Sequence, residues 1–446
     1  MAEISLRADD RHEQPRAGPG SIGLYPWYVA ALLSLAQLVS VLDRYLMSVA
    51  LEPVKADLML SDSQLGLLTG VSFALLFTLA SLPLGRAADI GSRRLIIVCG
   101  IAAWSVATMA GGFADSFTSL FVTRLGVGLG EAAMMPAAMS LIAAYFIKSQ
   151  RTKGVAIFSI GGSLGRAAAF MGGGATLALL AAHGGLALPA GLLLKPWQGL
   201  FFLAGAIGFV VALLCLTIRE PRRSSTERSG RLNDSLTYFW ENRGLYLRFF
   251  LAYSAVVAIV MSLASWTVSI YVRGHGLSVA QASMLVGATS LALGPAGGWF
   301  GGWLTDRMIR AGVVAAPLLV LAGVLTVAPF AGLMMALAPS AAVVALGYGI
   351  VYFSISAAGP AGFGGLQLVT PERHRGFTSA MLLCAYTLLG SGLGPLIVGL
   401  VSDYLLRDEQ AIATALAASL ALFALIGLPA ALAGRRSYQD AMQRTD

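Results

Sequence analysis

The chain has 446 residues, of which 57% are hydrophobic and only 12% charged, with a formal net charge of +8. A mean hydropathy of +0.77, with a charged fraction far below the roughly 25% of soluble domains, excludes an ordinary soluble protein and points to an integral membrane protein. The basic excess therefore calls for a membrane explanation before a nucleic-acid one.

In chain order, Met1 to Gly20 is polar, of mixed charge, and lacks the basic-then-apolar pattern of a cleaved signal peptide; the first membrane helix is expected to do the targeting. Apolar runs follow at 25–50, 64–87, 95–113, 117–146, 154–180 and 197–218, then at 246–272, 279–304, 313–338, 341–368, 376–404 and 410–433. They have the length needed to cross roughly 30 Å of hydrocarbon as helix, about twice that of β-barrel strands, which would also alternate. The expected fold is all-α, with twelve transmembrane helices in two six-helix halves. Cys99, Cys215 and Cys384 each lie in an apolar run, as small buried hydrophobes do.

With both termini in the cytoplasm, cytoplasmic segments hold 23 of the 30 Lys and Arg, outer loops hold four (Lys55, Lys195, Arg273, Arg407), and Arg44, Arg124 and Arg166 lie within helices. This bias follows the positive-inside rule, which an odd helix count would destroy. The expected location is the cytoplasmic (inner) membrane, multi-pass, with a tail over 1–24, a bundle over 25–218, a cytoplasmic linker over 219–245, a second bundle over 246–433 and a tail over 434–446. The linker, which contains RRSSTERSGRLND, suits contact with the anionic inner leaflet.

The halves are related. Ser61, Gln64, Gly70, Gly85, Asp89 and Arg93 recur 217 positions later as Ser278, Gln281, Gly287, Gly302, Asp306 and Arg310. Arg151 and Gly154 recur 222 positions later as Arg373 and Gly376. Pairs at two nearly constant offsets argue for duplication, and parallel six-helix repeats are the architecture of a rocking transporter.

Charges inside the first-half runs mark where a pathway lies, because a charge in hydrocarbon costs several kcal/mol unless it meets a partner or water. Asp43 lies seven residues before the outer end of helix 1 and Arg124 seven residues after the outer start of helix 4. At 1.5 Å per residue both sit about 10 Å deep, and they are expected to pair. Glu131 lies two turns beyond Arg124 on the same face, and Arg166 in helix 5 reaches a similar level, which predicts a second pair. Arg44 is expected to snorkel to the outer interface. Paired charges that only fix helix packing are the bland alternative. The second-half runs carry no charge at this depth. His183, His275 and His374 lie at helix ends or in a loop, as solvated histidines do. The glycines around Gly161 to Gly174 read as close-packing sites for helices 5 and 8, since small residues let membrane helices approach.

Gly85, Asp89, Arg93 and Arg94 resemble the GxxxD…R loop signature of the major facilitator superfamily, and Gly302, Asp306, Arg307 and Arg310 its second copy. The signature's downstream glycine falls one place early, at Gly91, and is Ile309 in the second copy. RLGVGLGE, Arg124 to Glu131, resembles the superfamily's RxxxGxG segment with a Glu appended. That Glu, LDRY at Leu42 to Tyr45 and QRTKG at Gln150 to Gly154 together resemble the Spinster branch. The resemblance implies export of lysophospholipids or sphingosine 1-phosphate in animals, proton coupling in some members, and loop clusters that make charge contacts between halves in the outward-open state. Arg166 departs from the branch, which usually places a small or aromatic residue there.

Together these readings predict a secondary transporter working by alternating access, proton-coupled, that moves an amphipathic, anionic, lipid-like molecule. Asp43, with Arg124 as switchable partner, and Glu131 are the expected proton-coupling groups. Arg124, Arg166 and Glu131 are expected to meet substrate, facing an aromatic wall drawn from Trp266, Tyr348, Tyr352, Phe353, Phe363 and Tyr386. Gly85, Asp89 and Arg93, with Gly302, Asp306 and Arg310, form the expected conformational switch. No cofactor, metal or nucleic acid is expected; the partners are substrate, protons and membrane lipids, and the chain is expected to be monomeric. With no HExxH, GxSxG or P-loop motif, an enzyme is disfavoured. The alternatives are a proton-coupled multidrug exporter, a small organic-anion carrier and a non-transporting receptor.

Overall fold

The computed structural model describes residues 23–147, 149–221 and 232–445, so residues 1–22 of the expected N-terminal tail and 222–231 of the linker lie outside the described residues. Among the described residues twelve helices are long and apolar enough to cross a membrane. In the first half these are α1 (Leu24–Leu58), α2 (Asp62–Ser81), α3 (Arg93–Gly111), α4 (Phe117–Tyr145), α5 (Arg151–Ala182) and α6 (Pro196–Cys215). In the second they are α7 (Arg243–His275), α8 (Val279–Arg310), α9 (Ala316–Ala336), α10 (Ala341–Leu368), α11 (Glu372–Leu406) and α12 (Glu409–Gln443). A short antiparallel pair, β1 (Leu186–Ala187) with β2 (Leu193–Leu194), closes the connection between α5 and α6, with Leu186 opposite Leu194. An even number of spans returns the chain to the face from which it started, the terminal face.

Helix packing repeats as the sequence does. In the first half α1 packs on α5 and α6, α2 on α4, and α3 on α4 and α6; in the second α7 packs on α11 and α12, α8 on α10, and α9 on α10 and α12. Ser61 and Ser278, paired in the sequence repeat, start α2 and α8 with the same capping box, completed by Gln64 and Gln281. Each serine satisfies orphan N–H groups of its helix, so the recurrence is a helix-start signal written twice. The halves meet mainly through α2 on α11 and α5 on α8. Those helices carry π-turns at Leu67–Val71, Ala168–Gly172 and Tyr386–Gly392.

The apolar core shows which end is closed. Buried residues at the opposite-face ends of α1 and α2, including Leu46, Ala50, Leu60 and Leu65, belong to one cluster with the second half. The terminal-face residues Val29, Leu33, Ile97, Phe146 and Phe158 belong to a separate cluster whose buried members all come from the first half. The halves are therefore joined at the opposite face.

Several boundaries differ from the sequence reading. α1 runs eight residues past the expected end at 50, to Leu58, because its last turns keep Glu52, Lys55 and Asp57 in ion pairs instead of releasing them to a loop. Part of the expected linker, Leu232–Glu241, is helical, and its Phe239 packs into the second-half core. The expected tail from 434 continues the last helix, which runs Ile412–Thr445, with Tyr438 donating to the Gly365 carbonyl at 2.7 Å.

α1 and α5 approach closely because Gly161 and Gly165 present bare backbone to α1. A Cβ at Gly161 would run into the Ser34 carbonyl oxygen, and one at Gly165 into that of Leu38. Without a hydrophobic drive between helices in lipid, this close packing is what holds them. Gly161→Val is expected to separate α1 from α5 and destabilise the first half by about 1–3 kcal/mol. Thermal melting in detergent checks it, and an unchanged midpoint would contradict the contact.

Candidate transport path and gate

At the opposite face an ion network ties the halves together. The Asp62 carboxylate accepts from Arg273 Nη1 at 2.8 Å and Nη2 at 2.9 Å, from Lys55 Nζ at 2.6 Å and from Ser402 Oγ at 2.7 Å. Arg273 Nε also donates to Glu52 at 2.9 Å, and Lys55 reaches Glu409 at 3.0 Å. In return Asp403 of the second half accepts from the backbone N–H groups of Asp62 at 3.2 Å and Ser63 at 2.7 Å. It thus places a negative charge on the N-terminus of α2, where the helix dipole favours one. Close backbone contact seals the junction: a Cβ at Gly66 would sit 2.7 Å from Leu396 Cα. The Asp62–Arg273 bond is forked and charge-assisted, the strong form of such contacts.

Deeper in the first half, Asp43 and Arg124 meet as expected. Arg124 Nη1 lies 3.9 Å from Asp43 Oδ1, and its Nη2 donates to the Asp43 carbonyl at 3.3 Å. The Thr108 hydroxyl of α3 donates to Asp43 Oδ2 at 2.6 Å, while Oδ1 makes no hydrogen bond. Both side chains are buried.

The second expected pair does not form. Glu131 accepts from Arg44 Nη2 at 2.5 Å, not from Arg166, and its Oε1 is buried without a partner. Arg44 does not snorkel: its guanidinium folds onto Phe73, 4.4 Å from the ring centre, with its side chain still 33% exposed. One step along α1 turns a side chain by about 100°, so Arg44 leaves the Asp43 face and its long stem spans the depth difference to Glu131. Arg166 turns to the second half, where Nη1 donates to the Tyr352 hydroxyl of α10. Its guanidinium lies 5.1 Å from the Tyr45 ring centre and 5.8 Å from that of Tyr352, and its Nε has no partner. Among the described residues no carboxylate lies within ion-pair distance of it.

The aromatic wall divides. Trp266 is buried in the packing of α7 on α11, donating to the Pro395 carbonyl at 3.0 Å, and does not line an open path. Tyr348 is also buried, its hydroxyl 2.9 Å from Ser290 Oγ. Phe353 faces a groove of about 660 Å³ between α8 and α10, lined with it by Thr289, Leu293 and Gly349. Phe363 and Tyr386 stack edge-on around Tyr253, with Phe363 37% exposed.

At the terminal face Arg93 is held within its own half. Its Nε donates to Glu220 at 2.9 Å, and its other nitrogens reach the Ser140 hydroxyl and the Pro221 carbonyl. Burial pushes the Glu220 carboxyl up, but bonds from the Arg94 N–H, Arg93 and Ser92 together outweigh it and hold it below its ordinary range. Arg310 donates to the Asp306 carbonyl of its own helix, and the Asp306 side chain is exposed. The Asp89 side chain lies outside the described residues, and Gly85 and Gly302 have open space at their Cβ positions. The two clusters make no described contact with each other in this state.

The gate residues Glu52, Asp62, Asp403 and Glu409 escaped sequence reasoning. One signal was available: inside the repeated Ser61–Gln64 box, Asp62 has Val279 as its counterpart 217 positions later, an asymmetry within a copied segment.

Two repeated six-helix halves, locked at one face and with paired charges inside the first, define a membrane transporter working by alternating access, not an enzyme. Residues 33–395 match the model of the Major Facilitator Superfamily, and the chain belongs to that superfamily. It is 29% identical to an MFS-type efflux pump of Mycolicibacterium smegmatis over 443 residues, covering 96% of this chain and 94% of that one. It is 28% identical to human protein spinster homolog 1 over 405 residues, covering 85% of this chain and 74% of that one. The crystal structure of a bacterial homologue of the human lysosomal transporter Spinster, inward-facing and unoccupied, superposes with a TM-score of 0.77 at 25% identity, covering 96% and 98% of the chains. The chain is thus similar to the Spinster branch over almost its whole length.

Removing one partner of a buried ion pair costs about 3–5 kcal/mol, enough to invert a conformational preference. Asp62→Asn is therefore expected to populate a form open at the opposite face. Spin labels at the exposed residues Met59 and Leu405 would report it as a longer distance component; an unchanged distribution would remove the gate role.

Proposed function

We propose that the protein is a proton-coupled transporter of an amphipathic anion of lysolipid type. The observation that carries this reading is a charge imbalance: Asp43 and Glu131 stand against Arg44, Arg124 and Arg166, and Arg166 has no carboxylate partner among the described residues. A guanidinium kept in the membrane interior invites an anion, and its forked donors suit phosphate or carboxylate. Beside it the second half offers Tyr352, with Tyr348 behind, and elsewhere the Tyr386 and Phe363 rings around Tyr253, an aromatic and uncharged set that suits a hydrocarbon tail. The lipid class is what the resemblance of LDRY and GLGE to the Spinster branch implies, while similarity to an MFS-type efflux pump over 96% of the chain favours export as the second reading, with a hydrophobic drug as cargo.

With the terminal face read as cytoplasmic from the charge bias, closure at the opposite face makes this an inward-facing state of an inner-membrane carrier, for which a monomer is the proposed working unit. In the opposite state, Asp89 with Arg93 and Asp306 with Arg310 would come together as a latch, once Arg93 leaves Glu220.

Asp43 is the proposed proton carrier. Pairing with Arg124 favours its charged form and burial without that partner favours its neutral form, so making and breaking the contact would bind and release a proton each cycle. Asp43→Asn is expected to abolish transport driven by a pH gradient in proteoliposomes while leaving folded, substrate-binding protein. A mutant that still responds fully would move coupling elsewhere, first to Glu131.

Each buried methylene adds up to about 0.8 kcal/mol, so affinity for lysolipids is expected to rise roughly three- to fourfold per added methylene until the cavity is full. Titrating a tail-length series checks this. Affinity independent of tail length would favour a small-anion carrier.

A further inference from the structure

Tyr352 stands in the expected wall as a ring, yet its hydroxyl makes the deepest described polar contact between the halves. It accepts from Arg166 Nη1 across the α5–α10 gap, while the other described inter-half hydrogen bonds and ion pairs gather at the opposite-face gate. A phenol hydroxyl is donor as well as acceptor, and here only its acceptor side is engaged. Arg166 likewise uses one nitrogen of three among the described contacts, with Nε buried and unpartnered. Unspent donors from both halves therefore converge on one place. The Tyr45 ring on the first half and the Tyr348 ring, 5.4 Å from Tyr352, wall that place with aromatic surface. Tyr348 is itself fixed through Ser290, so the wall is held from behind.

We propose that Arg166 and the Tyr352 hydroxyl form a two-half clamp for the substrate's anionic group. Bond for bond, Arg166 Nη1 exchanges the neutral phenol oxygen for an anionic oxygen, a stronger charge-assisted acceptor. The freed Tyr352 hydroxyl then turns from acceptor to donor on the same anion. No proton changes owner. The anion becomes a bridge between α5 and α10, so its binding favours the state in which the halves lie closest around it. A neutral amphiphile offers no such bridge and gains nothing from Tyr352 beyond its ring. This assignment rests on the anionic-substrate reading and adds which residue of the second half recognises the anion.

The test compares palmitoyl lysophosphatidate with monopalmitoyl glycerol, which share a tail and differ in the phosphate. Binding to wild-type, Tyr352→Phe and Arg166→Gln protein is measured in detergent. Tyr352→Phe keeps the ring and removes only the hydroxyl. It is expected to weaken lysophosphatidate binding roughly 10- to 100-fold and leave monopalmitoyl glycerol unchanged, which also certifies the fold. Unchanged lysophosphatidate affinity in Tyr352→Phe, with Arg166→Gln weakened, overturns the clamp alone. Tighter binding overturns it too, since Tyr352 would then merely compete with the anion. Lysophosphatidate binding indifferent to Arg166→Gln overturns the anionic-substrate reading beneath it.

Discussion

Five charged side chains, Asp43, Arg44, Arg124, Glu131 and Arg166, share the membrane-embedded interior of the first half, and the low dielectric there dictates what each must do. An unpaired buried charge is costly and a well-paired one roughly breaks even. Asp43 is matched by Arg124 and Thr108, and Glu131 by Arg44. With those four matched in pairs, Arg166 is left over, and its one described polar partner belongs to the other half. On the proposed reading, the imbalance lets an anion lower the free energy of the interior and a further cation raise it. It also explains why so polar a set is tolerated: the aromatic faces of Phe73, Tyr45 and Tyr352 cover the guanidiniums where water does not.

Closure at one face follows different physics. The gate around Asp62 adds several polar contacts to the apolar packing at that face, and each of them can be exchanged for water as the halves part. Close backbone approach at Gly66, and at Gly399 against Asp62, gives the junction its fit, while Arg273 and Asp403 supply the directional bonds. A seam made only of Leu and Val would close as firmly but would have no charged groups for water to solvate on opening. The terminal face, where Arg93 is committed to Glu220, contributes no described charge contact between the clusters and is free to differ between states.

The sequence made the architecture legible because membrane helices obey a one-dimensional rule. Length, hydropathy and loop charge set the twelve spans, and the repeated Ser61–Gln64 and Ser278–Gln281 boxes recur as matched helix starts. Charges in apolar runs located the interior, and counting residues along helices brought Asp43 to Arg124. What counting could not supply was rotation and reach. Arg44 and Glu131 became partners because an arginine stem can cross the depth that separates them, and Arg166 was left without a carboxylate partner for the same reason. The gate was harder still. Arg273 lies 211 residues from Asp62, and Asp403 lies 341 from it, so no local pattern joins them. Trp266 looked like a wall residue by composition, but its indole N–H needed an acceptor and found it in helix packing at Pro395.

The central claim is that the interior prefers a negatively charged head group, and a head-group series at constant tail length tests it most directly. Amphiphiles sharing one acyl chain and bearing anionic, zwitterionic, neutral or cationic heads would be titrated against the purified protein at fixed ionic strength. The imbalance at Arg166 predicts affinity falling in that order, with the gap between anionic and neutral heads shrinking as salt rises. Cationic heads binding as tightly as anionic ones, or tighter, would contradict it.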